Sequence, residues 1–522
     1  MARLIPETAR KIFTPETLRS AAKQSTGCLV IPVRLRRAIK RYLRENEGPH
    51  MKRKVLRLSQ SFSEIKDLNL MLTESTSKEL VEDPLKSTNS SKRWKIKSAY
   101  GDIGLLYSDD ETIAYVASRM PSIFSACYRV LSEVQRRIPD FSPAKVLDFG
   151  AGTGSAFWAM REVWPKSIEN VNLVEPSQSM QRAGRSLIQG MKKLPVIHSY
   201  DSIQALSKRI NKSDREHDLV IASYVLGEIP SLKDRVTVVR QLWNLTRDVL
   251  VIIEPGTPHG SNIISQMRSH VLWLEKRKCR KSKGKNNEAC KDFVSTKSGA
   301  FIVAPCSHDG QCPLAKTGKY CHFAQRFQRT SSQHAYKRTG RGPLRGFEDE
   351  KFSFIAFRRG QRPREPWPLD GVNLETLKEQ RGKQNLEDTE IDYEDVISEV
   401  EAEDVPHEAE EEEEEEEEAE AEEEVNSVNY DSDVTEPDTI DLDEESEDKR
   451  QEETGDADLG GGWGRILFMP VLRGRQVTLD VCRSVNRESS EGTLERIVVT
   501  RSKNPALHQL GRKSLWGDLW PF

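Results

Sequence analysis

Two groups of residues in this 522-residue sequence have the types and spacing that chemistry requires. The first is Val146-Leu147-Asp148-Phe149-Gly150-Ala151-Gly152-Thr153-Gly154, with Glu175 lying 21 positions past Gly154. A glycine turn lets the backbone approach a ligand closely and adopt dihedrals that a side chain forbids. An acid ending the next strand can accept both ribose hydroxyls of a bound nucleoside. Asp148, just before the turn, is placed to face a cationic part of the same ligand, directly or through water. Gly150, Gly152 and Gly154 step by two and position 155 is Ser, so the dinucleotide-binding spacing, with a third glycine three places after the second, is absent.

The second group is Cys306, Cys312 and Cys321, three thiols within sixteen positions of a Gly-, Pro- and Lys-rich stretch. Few apolar neighbours are available to pack against them, so a metal site explains them better than core packing. Zinc and iron–sulfur clusters both call for four ligands. His308 and His322 are nearby candidates for the fourth, and Cys482 lies in a strand-like run, Gln476 to Val481, farther on. The cysteine spacing is looser than the close pairs of zinc sites. Irregular spacing with one remote cysteine, and a proline after Cys312, leans toward iron–sulfur, with zinc as the alternative. Cys279 and Cys290 sit among lysines, and Cys28 and Cys127 stand alone. With eight cysteines and no secretory leader, a reducing compartment fits better than a disulfide scaffold.

Positioning the first group takes strands and helices in alternation, and residues 144–256 supply that period, the signature of an α/β fold with a parallel sheet covered by helices. Lys145 to Phe149 reads as the first strand, Ser155 to Val163 as a helix, Val171 to Glu175 as the second strand, and Asp218 to Ser223 and Val249 to Glu254 as later strands. The Asp-x-Gly-x-Gly-x-Gly form resembles motif I of class I methyltransferases. That resemblance implies a Rossmann-like sheet binding S-adenosyl-L-methionine through Asp148, Gly150, Gly152, Gly154 and Glu175, with Tyr224 lining the pocket. Amino methyltransferases of nucleic acid carry an Asn or Asp, two prolines and an aromatic where this chain has Ser223-Tyr224-Val225-Leu226. Between Cys127 and Cys279 there is no cysteine to act as a cytosine-C5 nucleophile. Cofactor binding is therefore better supported than methyl transfer, and no catalytic residue is assigned. Methyl transfer asks for positioning more than acid–base help, so an active rRNA methyltransferase stays as the alternative.

Charge narrows the partner. From Glu387 to Glu453 there are 36 acids against Lys449 and Arg450; the other residues carry 77 bases and 46 acids, an excess of +31. The acidic block buries nothing by itself, whereas so basic a remainder is the footprint of a protein that meets a polyanion, most simply nucleic acid. No run of eighteen apolar residues occurs, so no membrane-spanning helix is expected. The chain is read as a presequence of the mitochondrial type over 1–30 and a basic helical arm over 31–93. A methyltransferase-like domain over 94–275 follows, then a basic cysteine-rich metal extension over 276–370. An acidic insert over 371–460 precedes C-terminal strands over 461–522 that complete the cluster region. Arg326, Arg329, Lys337, Arg338, Arg341 and Arg345, interleaved with Phe327 and Tyr336, are expected to meet phosphates and stack on unpaired bases. Lys276 to Lys281 reads as a basic linker.

Taken together, Ala304-Pro305-Cys306 through Cys312-Pro313-Leu314, then Cys321-His322-Phe323-Ala324-Gln325-Arg326 and Phe352-Ser353-Phe354, are similar to the methyltransferase-like protein seventeen family of mitochondrial small-ribosomal-subunit assembly factors. The likeness covers roughly 95–360 and resumes near 463–500. It implies a 4Fe-4S cluster held by Cys306, Cys312, Cys321 and Cys482, binding to small-subunit rRNA beside ribosomal proteins in the mitochondrial matrix, and a monomer away from the ribosomal particle. The acidic insert before Cys482 departs from the family pattern.

Overall fold

The computed structural model describes residues 15–46, 48, 50–59, 97–98, 101–102, 107–211, 214–229, 231–283, 299–336, 345–363, 462–485 and 491–521. The acidic insert expected over 371–460 lies outside them, as do residues 60–93 of the arm.

The sheet begins with β1 (Lys145–Phe149), β2 (Asn170–Val174), β3 (Val196–Tyr200), β4 (His217–Ser223) and β5 (Thr246–Pro255). All five run parallel. Helices α6 (Ser155–Val163), α7 (Gln178–Ile188), α8 (Ile203–Arg209) and α9 (Leu232–Leu245) make the crossovers. Val249 to Ile253 is an unbroken apolar run, fully buried, as a central parallel strand covered on both faces must be. Beyond α10 (Pro258–Lys283) come β6 (Ala300–Ala304), β7 (Phe323–Gln328) and the long β8 (Phe347–Arg359). β8 inserts antiparallel between β5 and β6, with Ile355 opposite Ile252, and also pairs with β7. The order β3-β2-β1-β4-β5-β8-β6, with one antiparallel strand, is that of the class I methyltransferase sheet. Two helices ahead of the sheet, α4 (Asp109–Ser118) and α5 (Met120–Arg137), complete this layer; Ser108 and Glu111 start α4 with a capping box.

Three expectations need correction. The domain boundary at 275 falls inside this layer, because residues of the segment 276–370 supply three strands of the sheet. Lys276 to Lys281 is the last part of α10, a 26-residue helix, and not a linker. Finally, α1 (Pro15–Ala22), within the segment read as a presequence, buries Leu18, Ala21 and Ala22 against Trp463, Leu507 and Trp520. Its apolar face is a structural surface, and the backbone N–H groups of Gln24 and Ser25 donate to Asp518 next to it.

The arm does form helices: α2 (Val33–Glu45) and α3 (51–59). α2 lies against α7, where Arg41 donates to the carbonyls of Ser186 and Gln189 at 2.8 Å each and so satisfies the open end of that helix.

The C-terminal residues form a second, antiparallel sheet of β9 (Gly464–Ile466), β10 (Val471–Arg473), β11 (Gln476–Ser484), β12 (Gly492–Thr500) and β13 (Leu519–Trp520), with α11 (Pro505–Lys513) packed on it. Arg465 fastens this sheet to the first. Its guanidinium donates to the carbonyls of Pro305 and Gly517 and to Glu133 on α5. Glu133 also takes a hydrogen bond from Arg129 at 3.0 Å, and all three side chains are buried. Burial alone would raise the Glu133 carboxyl; Arg465 and Arg129 outweigh it and hold the group below the ordinary carboxylate range.

Glu133→Gln leaves two buried guanidinium groups without their counter-ion and is expected to lower the unfolding free energy by roughly 3–5 kcal/mol. Since the folded-state value lies below the unfolded one, the stabilisation is present above about pH 4.3 and fades as the pH falls through the folded value. Urea denaturation from pH 7 downward checks both points: a deficit in Glu133→Gln that shrinks toward low pH agrees, and an unchanged midpoint at pH 7 disagrees.

Candidate cofactor cradle and thiol cluster

The glycine turn sits at the carboxyl ends of the parallel strands, where a doubly wound sheet opens a crevice. At Gly150 only glycine fits: φ is +71°, and a Cβ would stand 2.5 Å from Val225 on the β4 side. The Gly150 N–H donates to the Val174 carbonyl at 2.8 Å, which closes the turn onto β2. Glu175, immediately past β2, accepts from the backbone N–H of Gly152 and of Ser177, both at 2.8 Å. Each carboxylate oxygen retains a further lone-pair direction for a ligand hydroxyl. Asp148 is fully buried, with no hydrogen-bond partner at either oxygen among the described residues. Burial, and then the neighbouring Glu175, push it up to about 7.

Three further acids join Asp148 and Glu175. Burial pushes Glu228 up to about 7, against the hydrogen bond from the Tyr107 hydroxyl at 2.8 Å. It also brings Glu254 to about 7, although that carboxylate accepts from the N–H groups of Leu226 and Gly227. The third is Glu350 on β8, which accepts from both terminal nitrogens of Arg119 at 3.2 Å and from the Tyr224 hydroxyl at 3.1 Å. Tyr224 itself has φ +57° and is fixed by its N–H to the Ile253 carbonyl. Carboxyl groups strained toward neutrality regain their charge when a cation enters, so the cradle favours a positively charged ligand over an anion. Tyr107 escaped notice because nothing in the local sequence links it to Glu228, 121 positions away.

Of the cysteines, Cys306 follows β6, Cys312 and Cys321 flank the turn before β7, and Cys482 stands on β11 of the other sheet. The fold brings these four thiols within electrostatic reach of one another, and all are free of disulfides. Burial raises the thiols of Cys312, Cys321 and Cys482, and the neighbouring thiols raise them further. Among the described residues no group of three or more His, Cys, Asp and Glu side chains is placed to hold a metal ion. Of the histidine candidates, His322 stacks on Tyr320 at 4.4 Å and meets Trp516 edge-on at 4.5 Å. His308 is fully buried with Nε2 at 3.5 Å from the Cys482 sulfur; burial, then Arg268, bring it down to about 4.

The expected base-stacking strip beside the cysteines needs correction. β7 alternates strictly, so Phe327 points into the core and is fully buried. Arg326 is paired with Asp349 at 2.8 Å and lies over Phe347, and Arg329 faces Glu348. Lys337, Arg338 and Arg341 lie outside the described residues. Arg326 and Arg345 are exposed there, and a further exposed row is formed by Arg34, Arg36, Arg37, Lys40 and Arg44 on the outer face of α2, with Lys192 and Lys193 past α7.

A family profile described as "Mitochondrial small ribosomal subunit Rsm22" matches residues 109–373 and 433–521. The human "Ribosome assembly protein METTL17, mitochondrial" is 29% identical over 279 residues, 52% of this chain and 54% of that protein. The Saccharomyces cerevisiae "Ribosome assembly protein RSM22, mitochondrial" is 24% identical over 78% of this chain and 67% of its own length. The first of these relatives is thus matched over about half its length. Among solved structures, the magnesium protoporphyrin IX methyltransferase of Synechocystis PCC 6803 with bound SAM is 13% identical, covering 55% of this chain and 97% of that one at a TM-score of 0.25. The fold assignment accordingly rests on strand order.

Because the folded state holds the Asp148 proton up to about 7, ionising this group costs stability; the cost is absent below its unfolded value near 3.9, grows with pH and is complete above 7. Asp148→Asn should therefore raise the melting temperature of cofactor-free protein at pH 8, by the equivalent of a few kcal/mol, with the gain gone by pH 4. Melting curves at the two pH values check this, and an unchanged Tm at pH 8 contradicts it.

Proposed function

The chain belongs to the Rsm22 family of the mitochondrial small ribosomal subunit, and from that premise we propose that it is an assembly factor of that subunit, grasping small-subunit rRNA in the mitochondrial matrix. Relatives that carry the names of mitochondrial ribosome assembly proteins support the assembly role. For RNA, the support is the +31 excess outside the acidic block and the outward row of Arg34, Arg37, Lys40 and Arg44 on α2, a spacing suited to successive phosphates.

The observation that carries the reading is the packing of Cys312 and Cys321 against Cys482 of the other sheet, with Cys306 within electrostatic reach of all three. Four thiols free of disulfides, one of them remote in sequence, are a donor set that a 4Fe-4S cluster would accept, with zinc as the alternative. Bound there, a cluster would supply a cross-link between the sheets and a one-electron redox centre. The four thiols would be its ligands.

S-adenosyl-L-methionine is the proposed occupant of the cradle. Its ammonium and sulfonium charges suit the partnerless Asp148 and the acids around it, Glu175 would take the ribose hydroxyls, and Gly150, Gly152 and Gly154 would let the backbone close on the ligand. Binding without transfer is favoured because Tyr224, at the position beside the methyl group, gives its hydroxyl to the Glu350–Arg119 pair. The cofactor fold then serves as a platform for RNA.

Sedimentation of the tagged full-length protein, with RNA footprinting on the peak fraction, tests this. The protein should travel with small-subunit precursors and protect their rRNA. Gly152→Arg should abolish SAM binding and leave assembly in place. A protein found only in ribosome-free fractions overturns the proposal, and SAM-dependent label transfer to immature rRNA would replace the platform by an enzyme.

A further inference from the structure

The segment from Pro15 to Ile31 carries basic and apolar residues like a leader peptide, yet it is built into both sheets of the protein. α1 lays Leu18, Ala21 and Ala22 into the core of the second sheet, in one cluster with Trp463, Leu507 and Trp520. Glu16 stands in its first turn, where a carboxylate suits the positive end of the helix dipole, whereas leader peptides of the mitochondrial type are poor in acids.

Past α1 the chain crosses to the first sheet. The N–H groups of Gln24 and Ser25 donate to one oxygen of Asp518 at 2.8 and 2.6 Å, and Arg136 of α5 donates to the Gln24 carbonyl at 2.9 Å. The buried amide of Gln325 on β7 donates to the carbonyls of Thr26 and Gly27 at 3.2 and 3.0 Å. Leu29 then bridges to β7 in parallel: its N–H donates to the Arg326 carbonyl and its own carbonyl accepts from the Gln328 N–H, both at 2.8 Å. Ile31 ends the crossing, buried in the core of the first layer.

We propose that residues 15–31 are retained in the mature protein as a strap across the two sheets, so that any peptide bond hydrolysed to release a leader lies ahead of Pro15. This rests on the mitochondrial location proposed above. A cut after Ala22 would open the core around Trp463 and Trp520. One after Leu29 would in addition take two donors from the buried Asp518, two acceptors from the Gln325 amide and the bridge from the edge of β7. Exposing large apolar side chains and leaving buried polar groups unanswered both oppose folding, and this segment prevents both. The leader-like look of α1 is the pattern of a helix with one face on a core and the other in water.

The test reads the N-terminus of the full-length protein, carrying a C-terminal tag and isolated from purified mitochondria, by intact mass and N-terminal sequencing. A first residue at Pro15 or earlier is expected, and a mature chain that starts later overturns the proposal. The strap is tested apart from location on purified full-length protein. Leu18→Ala should lower the melting temperature, whereas Ser20→Ala, on the exposed side of α1, should leave it in place. An unchanged melting temperature in Leu18→Ala overturns the strap. Should Leu18→Ala fail to fold, the mature N-terminus decides alone. Tagged protein found outside mitochondria refutes the location reading, and the strap then stands or falls on the melting temperature.

Discussion

The buried contact of Arg465 with Glu133 is the constraint on which the remaining structure depends. Glu133 belongs to α5, part of the first layer, and Arg465 to β9 of the second sheet. Arg465 stands directly opposite Cys482 in the β9–β11 register. The same guanidinium holds the carbonyl of Pro305, the residue before Cys306. One side chain therefore places the remote cysteine and the first clustered cysteine relative to each other. Removing two or more charges from water is costly, and such a network persists where each partner is answered, as Glu133 is by two arginines. Its contribution is better described as fixing a unique docking than as stabilising the protein in bulk.

The cradle lies at the carboxyl ends of the parallel strands, three of the four thiols flank β6 and β7 of the same sheet, and β8 runs past both. Glu350 on β8 reaches Tyr224 by the cradle, and three residues later the Ser353 hydroxyl donates to the carbonyl of Cys321 at 2.8 Å. The two sites nevertheless differ in chemistry. Carboxyl groups raised by burial gather in the cradle and invite a cation. The other site gathers thiols raised by burial and by one another, which a cationic metal centre would relieve by taking them as thiolates.

Local periodicity made much of this legible. Lys145 to Phe149, the glycine turn and Ser155 to Val163 could be read because a parallel strand, its turn and its helix are contiguous. What was not legible depends on long-range pairing. The insertion of β8 between β5 and β6 gives no local sign, so the layer was expected to end at 275 when it extends to Arg359. Phe327 resembled a base-stacking aromatic because it stood among arginines, although period-two alternation with Phe323 and Gln325 already marked it as inward-facing. α1 has basic and apolar residues like a leader peptide; only Trp463 and Trp520, more than 440 positions away, reveal the surface its apolar face covers. Spacing leaves His308, His322 and Cys482 as alternatives for a fourth ligand, and only the family resemblance singles out Cys482, since no sequence rule connects it to Cys306.

The proposed iron–sulfur cluster of Cys306, Cys312, Cys321 and Cys482 would join the two sheets. Its most direct measurement is the iron, inorganic sulfide and zinc content of the full-length protein purified anaerobically, beside a Cys482→Ser variant. Iron and sulfide in equal amounts are expected in the wild type, with both largely lost in the variant. Stoichiometric zinc without sulfide, or a variant that keeps its full complement of iron, would contradict it.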